Sequence, residues 1–287
     1  MHRIRIVLIA VVVALGLLAP IGVASAGTTP ASTTYYLAFG DSLAFGTPTP
    51  GFGYVDKLGT VLDKSHPGIE LVNFGCAGES TATMLGESVC RAEGLYQKYG
   101  DARNQLEAAE WFLRHHPGAV TYLTLDIGSN DVLPCVNPST GINLTCTATQ
   151  LRAVGKNLPQ ILDRLSDDIA DRKTKSAGMT YYDPILGFWS INQQWARQSV
   201  VVINGLNLLE ASSYLRYGFR IAPVSFAFET NNFTTDTHSQ LPVNVTKICA
   251  LTYMCPNPPG SAVPNVHPNQ DGYQLIADTF ARTFHLG

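Results

Sequence analysis

The sequence predicts an α/β fold, a parallel sheet with helices on both faces. Three observations carry this expectation. Short β-rich apolar runs alternate with segments of helical period from about residue 35 to residue 284. The stretch Ala119–Ile127 is apolar along most of its length, as for a central strand covered on both sides. The chain is long enough to bury one large core, and no internal repeat, low-complexity linker or charge block divides it. A single domain over 27–287 is therefore expected.

The elements follow in order. Tyr35–Phe39 reads as the first strand, and helical period runs from Tyr54 to Leu62. Ile69–Phe74 is a second strand, followed by a short helix over 79–86 capped near Ser80. Asp101–His115 is amphipathic: Leu106, Ala109, Phe112 and Leu113 share one face, with Asp101 as the expected cap. Ala119–Ile127 is the third strand. Gln150–Ile169 is a helix that Pro159 should kink or split. Met179–Pro184 and Phe219–Phe228 read as the last two strands, with Ser199–Leu215 as the helix between them. Asn269–Phe284 is a closing helix with Tyr273, Ile276 and Phe280 inward. The loops at 134–149, 185–198 and 229–265 are longer than connections usually are, and specificity tends to sit in such loops.

The first 26 residues read as a targeting segment. Arg3 and Arg5 precede an apolar run from Ile6 to Leu18, and Ala24-Ser25-Ala26 offers the small residues of a cleavage site. Pro20 and that site argue against an uncleaved anchor. Losing Arg3 and Arg5 takes the formal net charge from −3 to −5, a balance without attraction for nucleic acid or an anionic membrane. No later stretch is apolar over the length of a membrane span. An extracellular, monomeric protein is expected.

Six cysteines in an exported chain read as three disulfides. Spacing favours neighbours: Cys76–Cys90, Cys135–Cys146 and Cys249–Cys255. No pair has the close Cys-x-x-Cys spacing of zinc ligands, so neither a metal nor a cofactor is expected. Each loop lies next to a motif residue, so the bridges are expected to hold functional loops in shape.

The chemistry-bearing residues arrive in a fixed order. Phe39-Gly40-Asp41-Ser42-Leu43 places a hydroxyl at the carboxyl end of a strand, where open α/β sheets keep their ligand sites. Alone, Gly-Asp-Ser is common turn chemistry. Three later segments strengthen it: Asn73-Phe74-Gly75-Cys76-Ala77-Gly78-Glu79-Ser80, Gly128-Ser129-Asn130-Asp131 and Val266-His267-Pro268. Ester hydrolysis needs a nucleophile, a base and donors for an oxyanion. Ser42 fits the first role and His267 the second. The backbone N–H groups of Ser42 and Gly78, with the Asn130 carboxamide, fit the third; as an ordinary turn residue Gly78 is equally compatible. Asp131 reads as fixing its loop. His238 is the one rival base; His66, His115, His116 and His285 sit at helix ends, where a cation suits the dipole.

Together these segments resemble the SGNH/GDSL hydrolases, a family of esterases and lipases. The resemblance spans about residues 35–284. It implies a flavodoxin-like, three-layer α/β/α sandwich with a five-stranded parallel sheet, and Ser42, Gly78, Asn130 and His267 meeting at the carboxyl edge of that sheet. It also implies acylation of the serine followed by hydrolysis with water. The Gly-x-Ser-x-Gly elbow of the α/β-hydrolases is missing. One position departs from the family: three residues before the histidine, where members usually carry Asp, stands Pro264. In some secreted actinobacterial members a backbone carbonyl replaces that acid. The expectation is a Ser42–His267 dyad with the Pro264 carbonyl on the other imidazole nitrogen; Asp236 and Asp271 are the alternatives.

For substrate, the aromatic-rich segment Tyr181–Trp189 suggests an apolar acyl pocket lined by Leu186, Phe188 and Trp189, although ordinary core and loop packing explains each residue as well. The first reading is thus an exported hydrolase of lipid or other small acyl esters. A carbohydrate O-acetylesterase on the same machinery is the second. A non-catalytic binding module is the third, and intact Ser42, Asn130 and His267 argue against it.

Overall fold

The computed structural model describes residues 33–137, 139–169, 173–255 and 264–286. The targeting segment lies outside the described residues. Five parallel strands form the sheet: β1 (Tyr35–Gly40), β2 (Glu70–Asn73), β3 (Val120–Asp126), β6 (Lys175–Met179) and β7 (Arg220–Ala222), in the order β2-β1-β3-β6-β7. Two further short strands, β4 (Val136–Asn137) and β5 (Gly141–Ile142), pair as an antiparallel hairpin. The sheet starts with β1, the chain crosses to β2, then returns to place β3 on the other side of β1. Strand order therefore reverses between β1 and β3, and a crevice opens beyond their carboxyl ends.

Burial explains the strand assignments. Tyr36, Leu37, Ala38 and Phe39 of β1 are buried, as are Tyr122, Leu123 and Leu125 of β3, so both strands are covered on their two faces. Helices α2 (Tyr54–Ser65) and α10 (Gln270–Phe284) pack together, with Tyr54 stacked on Phe280 at 5.1 Å between ring centroids. Helix α6 (Leu144–Asp168) packs against both α4 (Gln105–His115) and α7 (Gln193–Arg216). Shorter helices are α1 (Ser42–Phe45), α3 (Thr81–Leu85), α5 (Ser129–Val132), α8 (Val224–Ala227) and α9 (Val243–Leu251). Among the described residues no helix is long and apolar enough to cross a membrane.

Several elements differ from the sequence expectation. The fourth sheet strand is Lys175–Met179, not Met179–Pro184. Its small residues give little propensity signal; a Cβ on Gly178 would sit 2.2 Å from the Tyr214 ring, so close packing of α7 selects glycine there. The fifth strand stops at Ala222, because Pro223 has no N–H to continue the ladder and precedes α8. Helix α4 starts four residues later than expected. Asn104 is its cap, with Oδ1 accepting from the Glu107 N–H at 2.9 Å, while Asp101 has φ +59°. Helix α6 starts earlier, at the Asn143 cap, and runs through Pro159 unbroken. The carbonyl that Pro159 leaves without a donor belongs to Gly155, which is exposed to water. Helix α7 likewise starts at an Asn192 cap, and α9 lies inside the stretch expected as a loop.

The cysteines pair as neighbours: Cys76–Cys90, Cys135–Cys146 and Cys249–Cys255.

Candidate active site

Strand β1 ends at Gly40, where φ is +147° and a Cβ would lie 2.4 Å from Asp126. Only glycine fits this turn. Gln105 clamps the same residue, accepting from its N–H and donating to its carbonyl, each at 2.9 Å. Asp41 then caps α1, its Oδ1 accepting the Leu43 N–H at 2.9 Å, so that Ser42 opens the helix above the sheet. Ser42 Oγ lies 2.8 Å from His267 Nε2.

Buried carboxyls underlie this turn. Asp41 Oδ2 accepts from the Ser129 hydroxyl at 2.7 Å and the Tyr181 hydroxyl at 2.8 Å, tying the loops after β3 and β6 to the serine turn. Asp126, at the end of β3, accepts from the N–H groups of Asp41 (3.2 Å) and Ala44 (3.3 Å), and from the Tyr54 hydroxyl at 2.5 Å. Burial, reinforced by the neighbouring Asp41 carboxylate, holds the Asp126 carboxyl well above the usual carboxylate range.

The histidine loop is fixed from three sides. Tyr253 donates its N–H to the His267 carbonyl and accepts from the Asn265 N–H, both at 3.0 Å. The Tyr182 hydroxyl donates to the Val266 carbonyl at 2.7 Å. The Cys249–Cys255 bridge closes the segment that Tyr253 belongs to. Asn265 Oδ1 accepts the His267 N–H at 3.0 Å and lies 2.5 Å from His267 Nδ1. The group on Nδ1 is thus the Asn265 carboxamide, not the Pro264 carbonyl. The reason is local: an Asn side chain that accepts the N–H two residues on forms an Asx-turn, which brings its oxygen beneath the ring. Neither alternative acid takes this place. Asp236 is half-buried and bonded to Ser239 and the His238 N–H, and Asp271 is exposed on the first turn of α10. With Nδ1–H donated to the carboxamide, Nε2 offers its lone pair to the Ser42 hydroxyl. Burial lowers the His267 pKa below the ordinary imidazole value, against a smaller upward pull from Asp41. Burial therefore favours the neutral imidazole.

The candidate oxyanion donors line the same cavity as the imidazole. Among the described residues, no protein acceptor takes the N–H of Ser42 or of Gly78, which has φ +86°. Asn130 sits in the first turn of α5, and its Nδ2 donates one hydrogen to the Glu79 carbonyl at 2.9 Å. The amide has a second hydrogen. Asp131 fixes this loop, accepting from the Thr81 N–H at 2.9 Å and the Thr81 hydroxyl at 2.6 Å. Ser42, Gly78, Asn130 and His267 all line one cavity.

The GDSL-like Lipase/Acylhydrolase family matches residues 38–275. The chain belongs to this family. No curated protein matches it. Solved structures with a similar fold include the extracellular lipase of Streptomyces rimosus, 16% identical with a TM-score of 0.54 over 88% of this chain and 100% of that one. The acetylxylan esterase Axe2 of Geobacillus stearothermophilus is 16% identical, with a TM-score of 0.53 over 88% and 95% of the two chains. An alpha/beta hydrolase enzyme from the metagenome of Lake Arreo, Spain, is 18% identical, with a TM-score of 0.51 over 88% and 95%. Membership in the GDSL family supports ester hydrolysis.

Against that background the cavity is informative. Its volume is about 290 Å³, and its walls are mainly apolar: Val132 and Leu133 beside α5, Val136 and Ile142 from the hairpin, Val202 and Ile203 from α7. The Cys135–Cys146 bridge ties the hairpin to the start of α6. Leu186, Phe188 and Trp189 are absent from the lining, which corrects the sequence expectation. The 3₁₀ turn Pro184–Phe188 sends Leu186 into the core and leaves Phe188 packed against it, while Trp189 packs by Phe233 under the Arg197 guanidinium. Pro184 and Ile185 line the cavity instead.

Among the described residues three serines line this cavity, and one of them, Ser42, faces a base. Ser129 donates to Asp41, and Ser199 donates to Asp183 at 2.6 Å. Asp183 also accepts from the Ile185 N–H at 3.0 Å, and burial pushes its carboxyl up to about 7. A folded-state pKa above the unfolded value means this group's stabilising contribution is complete below about pH 4 and is lost as pH rises toward 7. Asn can keep both contacts, with Oδ1 accepting from Ile185 and Nδ2 donating to the Ser199 oxygen. Asp183→Asn is therefore expected to gain on the parent as pH rises from 5 to 8, by about 1–3 kcal/mol. Thermal denaturation across that range measures it; a difference independent of pH would contradict the burial argument.

Sequence reading missed Asn265, Tyr54, Asp126 and the hairpin wall. An Asn two residues before the expected base was the one local signal available for Asn265.

Proposed function

We propose that this GDSL family member is an exported serine ester hydrolase whose preferred substrates carry an apolar acyl chain. The contact between Ser42 Oγ and His267 Nε2 at 2.8 Å, on the wall of an apolar cavity, carries the reading. In the proposed cycle Ser42 Oγ attacks the ester carbonyl as its proton passes to His267 Nε2. The carbonyl oxygen gains charge among the N–H groups of Ser42 and Gly78 and the free Asn130 hydrogen. Collapse breaks the bond to the alcohol, which leaves with the proton from His267, and Ser42 holds the acyl group. Water then attacks, losing its proton to His267; collapse breaks the bond from Ser42 Oγ to the acyl carbon, Oγ takes the proton back from His267, and the acid departs. Asn265 fixes the imidazole tautomer throughout; being neutral, it stabilises the imidazolium less than a carboxylate would. The leader-like first 26 residues and three disulfides support export.

The apolar walls favour acyl chains over acetyl groups alone. A series of p-nitrophenyl esters tests this. kcat/KM is expected to rise about fourfold for each methylene the cavity can bury, then level off. A strict preference for acetate would contradict the acyl-chain reading and favour an O-acetylesterase.

A further inference from the structure

Apolar side chains scattered singly on a surface are ordinary, whereas a cluster calls for a partner. Among the described residues the five most exposed large apolar side chains are Phe226 (83%), Val201 (73%), Leu208 (71%), Ile191 (67%) and Leu215 (66%). All five lie on α7, just before it, or on α8 beside it. Val201, Leu208 and Leu215 are seven residues apart, so they form one stripe along the outer face of α7. Phe226 and Leu208 line the same groove, where the side chains of Asn204 on α7 and Asn231 after α8 are hydrogen-bonded at 2.7 Å. Val201, Leu208, Leu215 and Phe226 therefore border one surface, with Ile191 on the segment that leads into α7.

Charge says what kind of partner fits. The only acid on α7 is Glu210, which is fully buried. The exposed positions along the stripe are otherwise uncharged, with Arg197 and Arg216 toward its two ends. Glu229, at the groove margin, is paired with Lys247 at 3.6 Å. A long helix with an uncharged apolar outer face and basic ends suits the boundary between lipid and water. The location agrees, because Val202 and Ile203, next in sequence to the exposed Val201, wall the cavity that holds Ser42.

We propose that the outer face of α7, with Phe226 of α8, is a surface that adsorbs to neutral lipid and presents ester substrates to the cavity on the other side of the helix. The role in delivering substrate rests on the ester-hydrolase reading; adsorption itself does not. Adsorption buries Val201, Leu208 and Phe226 in the interfacial layer, while the base of α7 stays packed on α6.

The test uses the Ser42→Ala chain, so that nothing is hydrolysed, and sedimentation with phosphatidylcholine vesicles. Partition into the pellet is expected, and the added pair Leu208→Ser and Phe226→Ser should weaken it by about tenfold per side chain. With Ser42 intact, the same pair should leave kcat/KM for soluble p-nitrophenyl butyrate unchanged and lower the rate on emulsified tributyrin. Absence of vesicle binding, or binding unaffected by the pair, would overturn the proposal. So would light scattering that shows a dimer dispersed by the pair, since the face would then belong to a second copy. Vesicle binding without hydrolysis of any ester by the Ser42 chain would leave the adsorbing surface standing and remove the catalytic reading.

Discussion

Ser42→Ala is expected to lower kcat/KM for a soluble ester by about 10⁵–10⁶, because nucleophile and base act as one unit. Little structural cost should accompany the loss. Among the described residues the Ser42 hydroxyl bonds only His267, whereas Asp41 and Gln105 hold the turn itself. The melting temperature is therefore expected to stay within the range of a minor surface change, about 0.5 kcal/mol in stability. Ser129 and Ser199 supply the internal comparison. Both line the cavity, but their hydroxyls are donated to Asp41 and Asp183 and have no imidazole to take the proton. Steady-state kinetics on the Ala variants should leave Ser42 far apart from the other two. Comparable losses at Ser129 would contradict the assignment of the nucleophile.

The second large effect concerns Asn265. Removing its carboxamide with Asn265→Ala leaves Nδ1 without its acceptor and frees the ring to take the wrong tautomer. A fall in kcat on the order of 10² is expected, with KM little changed. Asn265→Asp works in the opposite sense. A carboxylate in contact with the imidazole favours its charged form and raises the His267 pKa by about one unit or more. The base must be neutral to act, so activity would be lost at a higher pH on acidification than in the parent, where burial holds that pKa below the ordinary value. The pH profile of kcat/KM reads this directly. An acidic limb that does not move on Asn265→Asp would show that residue 265 does not govern Nδ1.

How far the sequence could be read depended on where each signal resides. Strands β1 and β3 announce themselves, because burial on both faces demands long apolar runs. Ser42 and Asn130 follow those strands directly, so their place at the carboxyl edge was legible from the run before them. His267 was legible only through its order after the other segments and the resemblance that order carries. Strand β6 was misplaced because Gly178 is chosen for contact with Tyr214 of α7, not for propensity. Asn265 escaped notice because its role comes from a side-chain turn onto its own loop. The link from Asp126 to Tyr54 spans 72 residues of sequence and leaves no local pattern. The cavity walls depended on where the Cys135–Cys146 bridge holds the hairpin, which spacing alone does not give.

The central claim is that one hydroxyl in this chain is activated by an imidazole from the far end of it. Reaction with a fluorophosphonate probe, followed by peptide mass analysis, tests it most directly, because only an activated serine reacts readily. One adduct per chain, on the peptide that carries Ser42 and abolished by His267→Ala, is the result the account predicts. No adduct on the folded protein, or an adduct on another serine, would contradict it.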